Sequence, residues 1–227
     1  MHIEPGIVDG SKMALSYATA AGSFGLASKM ATRSVHDDGG LAGLAVKSVI
    51  ATSLVFSFFQ ILPHYPVGVS EVHFILGSTL FLMFGAGAAS VGLAAGLLLQ
   101  GLFFAPFDLP QYGINVTTLL VPLFAVSMLA KRIIAPKTAY VDVTYGQALA
   151  LSTTYQAGIV SWVAFWAFYG QGFGAANIEA VTMFGGAYMM VILFEPMIDL
   201  AVLAVAKSFA PKAGHPLVTT RLHHAAA

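Results

Sequence analysis

The feature that most restricts the fold of this chain is its succession of long apolar segments. Of its 227 residues, 58% are hydrophobic and only 9% are charged, and the mean hydropathy is +0.82. A soluble domain carries about 25% charged residues. Because backbone groups inside a bilayer must be hydrogen-bonded within their own segment, apolar runs of about 20 residues are expected to be helices. The sequence therefore predicts an all-α integral membrane protein.

Seven apolar segments are candidates for these helices. They cover residues 11–31, 41–62, 73–84, 86–105, 115–135, 146–170 and 177–207. The third is too short to cross the bilayer alone in a straight line. Its continuation through "FGAGAASVG" is either a tight helical hairpin or one broken long helix. We expect about seven transmembrane helices in a single domain, residues 1–227.

Lysine and arginine mark one side of the predicted membrane protein. They gather in the first connection, between the fifth and sixth segments and after the last segment: Lys29, Arg33, Lys47, Lys131, Arg132, Lys137, Lys207, Lys212 and Arg221. Cytoplasmic loops are enriched in these residues. With seven spans, this bias predicts a C-terminus inside the cell and an N-terminus outside.

Charge and residue usage exclude several classes of function. Ten basic and ten acidic residues give a net charge of zero, which argues against nucleic acid as a partner. Cysteine is absent, so imidazole, carboxylate, amine and thioether groups are the available metal ligands. The sequence also lacks the G-x-x-x-x-G-K-[ST] motif, so we expect no ATP site of that kind in this chain.

The first residues, "MHIEPG", place His2 ahead of any apolar segment. Methionine aminopeptidase generally needs a small second residue, so Met1 is expected to remain with a free α-amine. That amine, the amide nitrogen of His2 and the Nδ1 of His2 can close two chelate rings in one plane around a metal. Such planar nitrogen coordination favours Ni(II) or Cu(II), and Co(II) can be bound similarly. Residues 1–10 are thus a candidate chelating segment with one planar position open.

The predicted outer loop "LPHYPVGVSEVHF", residues 62–74, contains three polar residues of interest. His73 begins an apolar segment, where an ionisable group is costly unless it is paired or ligated. We therefore expect His73 to fill the open ligand position. Glu71 is a possible additional oxygen donor, and His64 is interpreted as an ordinary interfacial residue.

Further polar residues lie near the predicted helix ends. Gln100 is near the outer end of the fourth segment, and Asn115 either caps the fifth helix or orients a metal-binding imidazole. Glu195 and Asp199 share a helix face because they are four residues apart. They are expected to pair with Lys207 or with another helix, or to contact a partner on the cytoplasmic side.

Together these residues resemble the CbiM/NikM family, the substrate-binding membrane components of energy-coupling factor transporters for cobalt or nickel. The resemblance rests on Met1-His2-Ile3 with Gly6, on the loop that ends in His73, on Gln100 before "LFF", and on Gly113-x-Asn115. It extends over nearly the whole chain. The chain departs from the family pattern at Glu71 and Val72, where glycine is usual before the loop histidine.

The resemblance implies a specific function and site. Met1, His2 and His73 would bind the metal, with His64, Glu71, Gln100 and Asn115 around it. The substrate would be Co(II), or Ni(II) as the alternative, captured at the outer face of a bacterial inner membrane. A membrane coupling subunit and two cytoplasmic ATPases would be needed for uptake, so this chain would bind and carry the ion without catalysis.

Two other classes of protein fit the sequence less well. A retinal-type photoreceptor needs a lysine in the middle of its last helix, whereas Lys207 is at the end of that segment. An intramembrane metalloenzyme would be expected to carry H-E-x-x-H or a similar pair with a general base. The sequence offers only Glu71 near His73 for such a role.

Overall fold

The structure, a computed structural model, describes residues 2–209 and 217–224. Met1, a predicted ligand, and Lys212, a predicted cytoplasmic cation, lie outside the described residues. The α-helices are Met13–Asp37 (α1), Gly40–Gln60 (α2), Gly77–Phe103 (α3), Tyr112–Ile133 (α4), Tyr145–Gln171 (α5), Ala175–Met189 (α6) and Glu195–Ser208 (α7). An antiparallel hairpin of Tyr65–Val67 (β1) and Ser70–Val72 (β2) lies between α2 and α3.

Four helical stretches within the described residues are long and apolar enough to cross a membrane. They are Gly40–Gln60, Gly77–Phe103, Pro106–Ile133 and Ala175–Ser208. In the most apolar part of each stretch, 72% of the residues of the stretch containing α4 and 56% of those of α3 are buried inside the protein. The corresponding share is 33% for α2 and for the stretch containing α6 and α7. The predicted all-α membrane protein is therefore confirmed, with α3 and α4 at its centre. The count of seven spans and the sides of the two termini stay predictions.

The predicted segments 73–84 and 86–105 are two halves of α3. The helix is interrupted at Gly85, whose φ of 78° and ψ of 164° are outside the helical range. His73, before the first half, and Gln100, near the end of the second, both lie beside His2. The chain must therefore reverse direction at Gly85, which makes α3 a helical hairpin. The helix begins at Gly77, so His73 precedes it.

The predicted segment 177–207 lies within one helical stretch, Ala175–Ser208, that is long enough to cross a membrane, but this stretch is not a uniform α-helix. The structure divides it into α6 and α7, with the 3₁₀ turn Met190–Leu193 between them. Pro196 lies in the first turn of α7. Proline has no backbone N–H to donate but fits the start of a helix, so it favours a new helix at this point over continuation of the previous one.

The C-terminal segment closes the end of the fold that is remote from His2. The Thr219 N–H donates to the Met83 carbonyl at 2.8 Å, beside the break in α3. The Thr220 N–H and hydroxyl donate to Asp38 Oδ1 at 2.7 and 2.8 Å. Asp38 also pairs with the buried Lys47 at 2.5 Å. These contacts join α1, α2 and α3 where the α3 hairpin turns.

The two acids of α7 do not pair with Lys207. Lys207 instead contacts Asp142 at 2.6 Å. Glu195 accepts hydrogen bonds from α5, and Asp199 accepts them from the first turn of α3. The expected contact with another helix is therefore confirmed, and the expected pairing with Lys207 is wrong because Asp142 lies at the lysine end of α7.

Candidate metal centre

The N-terminal segment lies along the β-hairpin as a short third strand. Ile3 is opposite Ser70 in antiparallel pairing. The Glu71 N–H donates to the His2 carbonyl at 3.0 Å, and the Ser70 hydroxyl donates to the same carbonyl at 2.8 Å. These bonds fix the backbone of His2 next to the loop that carries the other candidate ligands.

Buried contacts anchor this segment to the helices. Its backbone N–H at Ile3 donates to Asn115 Oδ1 of α4 at 3.0 Å, and the Ile3 side chain is fully buried beside Trp166 of α5. A Cβ atom at Gly170 would lie 1.9 Å from the Ile7 carbonyl oxygen. Only glycine permits so close an approach of two backbones. The segment is thus packed into the fold on two sides.

His2, Glu71 and His73 bring three possible metal ligands together. Glu71 Oε2 lies 3.0 Å from His2 Nδ1 and 2.8 Å from His73 Nε2. One ligand atom from each residue lies within 4.8 Å of the others. Two donors that bind one ion at right angles, each about 2.1 Å from it, are about 3 Å apart. The observed spacing is therefore close to that of ligands sharing one ion.

The three groups carry the charges that metal binding needs. Burial disfavours the charged imidazolium and lowers the pKa of His2 to about 4 and that of His73 to about 2. Burial alone would raise the pKa of Glu71, but hydrogen bonds from both histidines hold it below its usual value. At neutral pH an ionised carboxylate thus accepts hydrogen bonds from two neutral imidazoles. For His2 Nδ1 and His73 Nε2 to bind a metal, each proton must move to the other ring nitrogen, which is buried without a hydrogen-bond partner in the described residues.

The surroundings of the site add negative charge. Burial and the neighbouring Glu71 raise the pKa of Glu4, which shows that the two acids are close enough to repel each other. Asp108 also interacts electrostatically with both. An excess of carboxylates around one pocket attracts cations.

Aromatic rings enclose the two buried histidines. Phe59 packs against both, with centroid separations of 5.5 Å to His2 and 5.2 Å to His73. On the solvent side, His64 stacks on His73 with centroids 4.7 Å apart and planes 12° apart. The sequence interpretation of His64 did not anticipate this contact. In the described part of the chain, His2 Nε2 and His73 Nδ1 are buried without a hydrogen-bond partner.

Two other predicted residues lie nearby. Gln100 is buried, and its side chain lies close enough to His2 to oppose slightly the lowering of the His2 pKa, in which burial is the largest influence. Asn115 lies inside α4, which begins at Tyr112, so it does not cap that helix. It holds the backbone of Ile3 rather than an imidazole.

The sequence of this chain matches a known family, and its fold matches a solved structure. The family model of CbiM, the cobalt uptake substrate-specific transmembrane region, matches residues 2–213. The chain belongs to the CbiM family. A solved crystal structure of a transition metal transporter matches with a TM-score of 0.68 at 16% sequence identity, over 93% of this chain and 95% of that chain. That likeness shows a shared fold. Among curated proteins, none matches the sequence.

Membership of the CbiM family confirms the resemblance found in the sequence. It makes the chain a membrane subunit for metal transport, and not an enzyme. The alternatives of a photoreceptor and an intramembrane metalloenzyme are set aside on this ground. For a CbiM-family protein, the transported ion is a substrate, so the site that binds it must also release it.

Proposed function

We propose that this CbiM-family protein is the metal-capturing subunit of an energy-coupling factor transporter, with Co(II) as its substrate and Ni(II) as the alternative. The observation that carries the proposal is the convergence of His2 Nδ1, His73 Nε2 and Glu71 Oε2 at the N-terminal segment, with both histidines buried and Glu71 partly exposed. Capture and release of one divalent ion is the function that this pocket fits best.

The proposed ligands are His2, His73 and the α-amine of Met1. Glu71 is positioned to add an oxygen donor, since its carboxylate already touches both imidazoles. A square-planar arrangement of nitrogen ligands favours Ni(II) or Cu(II), whereas carboxylate oxygen suits harder ions. A carboxylate donor outside the nitrogen plane would move the site away from square-planar geometry and lessen the preference for Ni(II), which is the support for Co(II) as the first choice.

We place the metal centre on the outer side of a bacterial inner membrane. The support is the charge at the opposite end of the fold, where four basic residues line one cavity of about 630 Å³: Lys29, Arg33, Lys131 and Arg221. Basic residues accumulate on the cytoplasmic side of membrane proteins. The ion would then enter beneath residues 1–10, which act as the chelating segment of a single domain.

Uptake would require further subunits. The sequence carries no G-x-x-x-x-G-K-[ST] motif for ATP, so the energy would come from other chains. The family resemblance implies a membrane coupling subunit and two cytoplasmic ATPases. ATP hydrolysis in those subunits would reorient this one and release the ion inside the cell.

Competitive loading tests this proposal. The purified protein in detergent is incubated with equimolar Co(II) and Ni(II), and bound metal is counted by mass spectrometry. We expect one tightly bound ion per chain, mainly cobalt. The His73→Ala variant should lose at least 100-fold in affinity, because it removes a ligand, whereas His64→Ala, the matched exposed histidine, should lose only a few-fold.

Two results would contradict parts of this proposal. Unchanged affinity in the His73→Ala variant would remove this residue from the ligand set. A Glu71→Gln variant that keeps the preference for cobalt would show that the carboxylate oxygen does not select the ion. Conversely, a shift of this variant toward nickel would support the mixed donor set.

A further inference from the structure

A second cluster of polar residues lies among the helices, away from the metal centre. We name it the α7 acid cluster; it consists of Glu195 and Asp199 with their partners on α3 and α5. Glu195 Oε2 accepts hydrogen bonds from the Ser152 hydroxyl and from Gln156 Nε2, the latter at 2.6 Å. Both acids have 0% of their surface exposed.

The other acid of the cluster is held by α3. Asp199 accepts hydrogen bonds from the Ser78 hydroxyl at 2.8 Å and from the Thr79 hydroxyl. Ser78 and Thr79 lie in the first turn of α3, shortly after His73. Because the first half of α3 runs away from the metal centre, the α7 acid cluster lies inward of that centre, on the side of the reversal at Gly85.

Several oxygens in and beside this cluster have no hydrogen-bond partner within the described residues. They are Glu195 Oε1, Gln156 Oε1 and the phenol oxygens of Tyr155 and Tyr188. All four side chains are fully buried, and both tyrosines are close enough to Glu195 to interact with it electrostatically. A buried acceptor without a donor has lost its hydrogen bonds to water and gained none in the protein, which is destabilising. A cation would satisfy such oxygens.

The charge of the cluster also indicates a cation site. Of the ion pairs that the described residues form, Lys47 pairs with Asp38 and Lys207 with Asp142, and none includes Glu195 or Asp199. Carboxyl groups within a membrane protein are costly unless they are compensated, and they commonly mark the path of an ion. When both acids are ionised, they match the charge of one divalent cation.

We propose that the α7 acid cluster is a second cation site, which takes a divalent ion on its way inward from the metal centre. Its donors would be the carboxylates of Glu195 and Asp199, the Gln156 amide oxygen and neighbouring hydroxyls. The identification of this cation as the transported ion rests on the proposed function. Because oxygen-only sites bind transition metals less tightly than sites with imidazole, the ion could move on from this cluster.

The test uses Mn(II) as the probe, since this ion prefers oxygen ligands and free Mn(II) is measured by electron paramagnetic resonance. The starting protein is the full chain with His73→Ala, which weakens the metal centre. We expect one Mn(II) per chain. Adding Glu195→Gln with Asp199→Asn should weaken that binding at least tenfold, because the amides keep the shape and lose the charge. The control, Asp142→Asn, removes an exposed acid and should change nothing.

Equal Mn(II) binding with and without the two amide substitutions would overturn the second site, as would the absence of bound Mn(II) in the His73→Ala protein. If the double variant does not elute as a folded protein, each single variant is measured, and the same tenfold criterion applies. Tight Co(II) binding by the Glu195→Gln/Asp199→Asn chain with His73 intact separates the two proposals, since that result tests the metal centre alone.

Discussion

Asn115 Oδ1 accepts a hydrogen bond from the backbone N–H of Ile3 at 3.0 Å. The bond joins the central helix α4 to the segment that carries His2, and both residues are almost fully buried. Asn115 touches neither imidazole in any hydrogen bond of the described structure. It therefore positions a candidate ligand through the backbone next to that ligand.

Replacing Asn115 by alanine should weaken Co(II) binding without removing a ligand. The N–H of Ile3 would be left buried and unpaired, and the His2 backbone would lose one of its supports. Loss of such supporting contacts typically costs about 10–100-fold in metal affinity. Calorimetric titration of the purified protein measures the effect.

The matched control for this variant is Asn177→Ala. Asn177 also bonds to backbone, donating to the carbonyls of Ala167 and Gly172, but it is not part of the metal centre. We expect its Co(II) affinity to equal that of the unmodified protein. Equal affinities of the two variants would show that the bond to Ile3 does not position His2.

The sequence predicted the helices well because apolar length is a local property of the chain. It predicted His2 and His73 as partners through the chelate argument, and the structure brings their rings within 5.2 Å. Their role as ligands stays a proposal. The contact of Glu71 with both histidines was foreseeable in part, because residues 71 and 73 are two apart and point to the same face of an extended segment.

Other features depend on contacts between distant parts of the chain. The pairing of Ile3 with Ser70 joins segments that no local pattern relates. The sequence alone does not decide the reversal at Gly85, because an apolar run with small residues fits both a kinked helix and a hairpin. Pairing of Glu195 with α5 also required the three-dimensional packing, since sequence spacing shows only that Glu195 and Asp199 share a face.

The metal-free protein should lose stability in mild acid. The ordinary pKa of histidine is 6.5, and that of folded His2 is about 4. Between pH 4 and pH 6.5 the His2 imidazole is therefore protonated in the unfolded chain and neutral in the folded protein. His2 therefore leaves the free energy of unfolding unchanged above pH 6.5 and lowers it as the pH drops toward 4. Glu71, with its lowered pKa, adds a loss in the same direction below its ordinary value of 4.5.

At pH 5 His2 and His73, whose folded pKa is about 2, each contribute about 2 kcal/mol to this loss. It is measured by thermal unfolding in detergent at pH 7.5 and pH 5 with a metal chelator present. A His2→Phe variant, which keeps a buried ring and cannot be protonated, should lose less stability between the two pH values. The same acid sensitivity in both proteins would show that His2 does not contribute to the loss.

Gly85→Ala should destabilise the protein by about 1–3 kcal/mol, because the backbone angles at this reversal are essentially restricted to glycine. The φ of 78° and ψ of 164° leave an L-residue strained whatever the space around it. The control is Gly186→Ala in α6, where an added Cβ meets nothing within 4 Å and alanine favours the helix. The melting temperature should fall for Gly85→Ala alone, and equal melting temperatures would argue against a constrained turn.

The proposed role of the Met1 amine is tested by lengthening the chain at its N-terminus. One residue placed before Met1 turns the α-amine into an amide, which removes that donor and changes no side chain. His2 is 3% exposed and its carbonyl is held by Ser70 and Glu71, so the change occurs beside the buried pocket. We expect the extended protein to lose tight Co(II) and Ni(II) binding.

Two controls make this result specific to the amine. An extension with a protease site directly before Met1 should bind metal only after cleavage, and a tag after Ala227 should leave binding unchanged. An α-amine has an ordinary pKa of about 7.7–8.0, whereas the buried imidazoles titrate far lower. If the amine is a ligand, affinity should therefore fall about tenfold per pH unit below about 7.7. Affinity that is constant from pH 8 to pH 6, together with tight binding by the extended protein, would exclude the amine and leave His2, His73 and Glu71 as the ligand set.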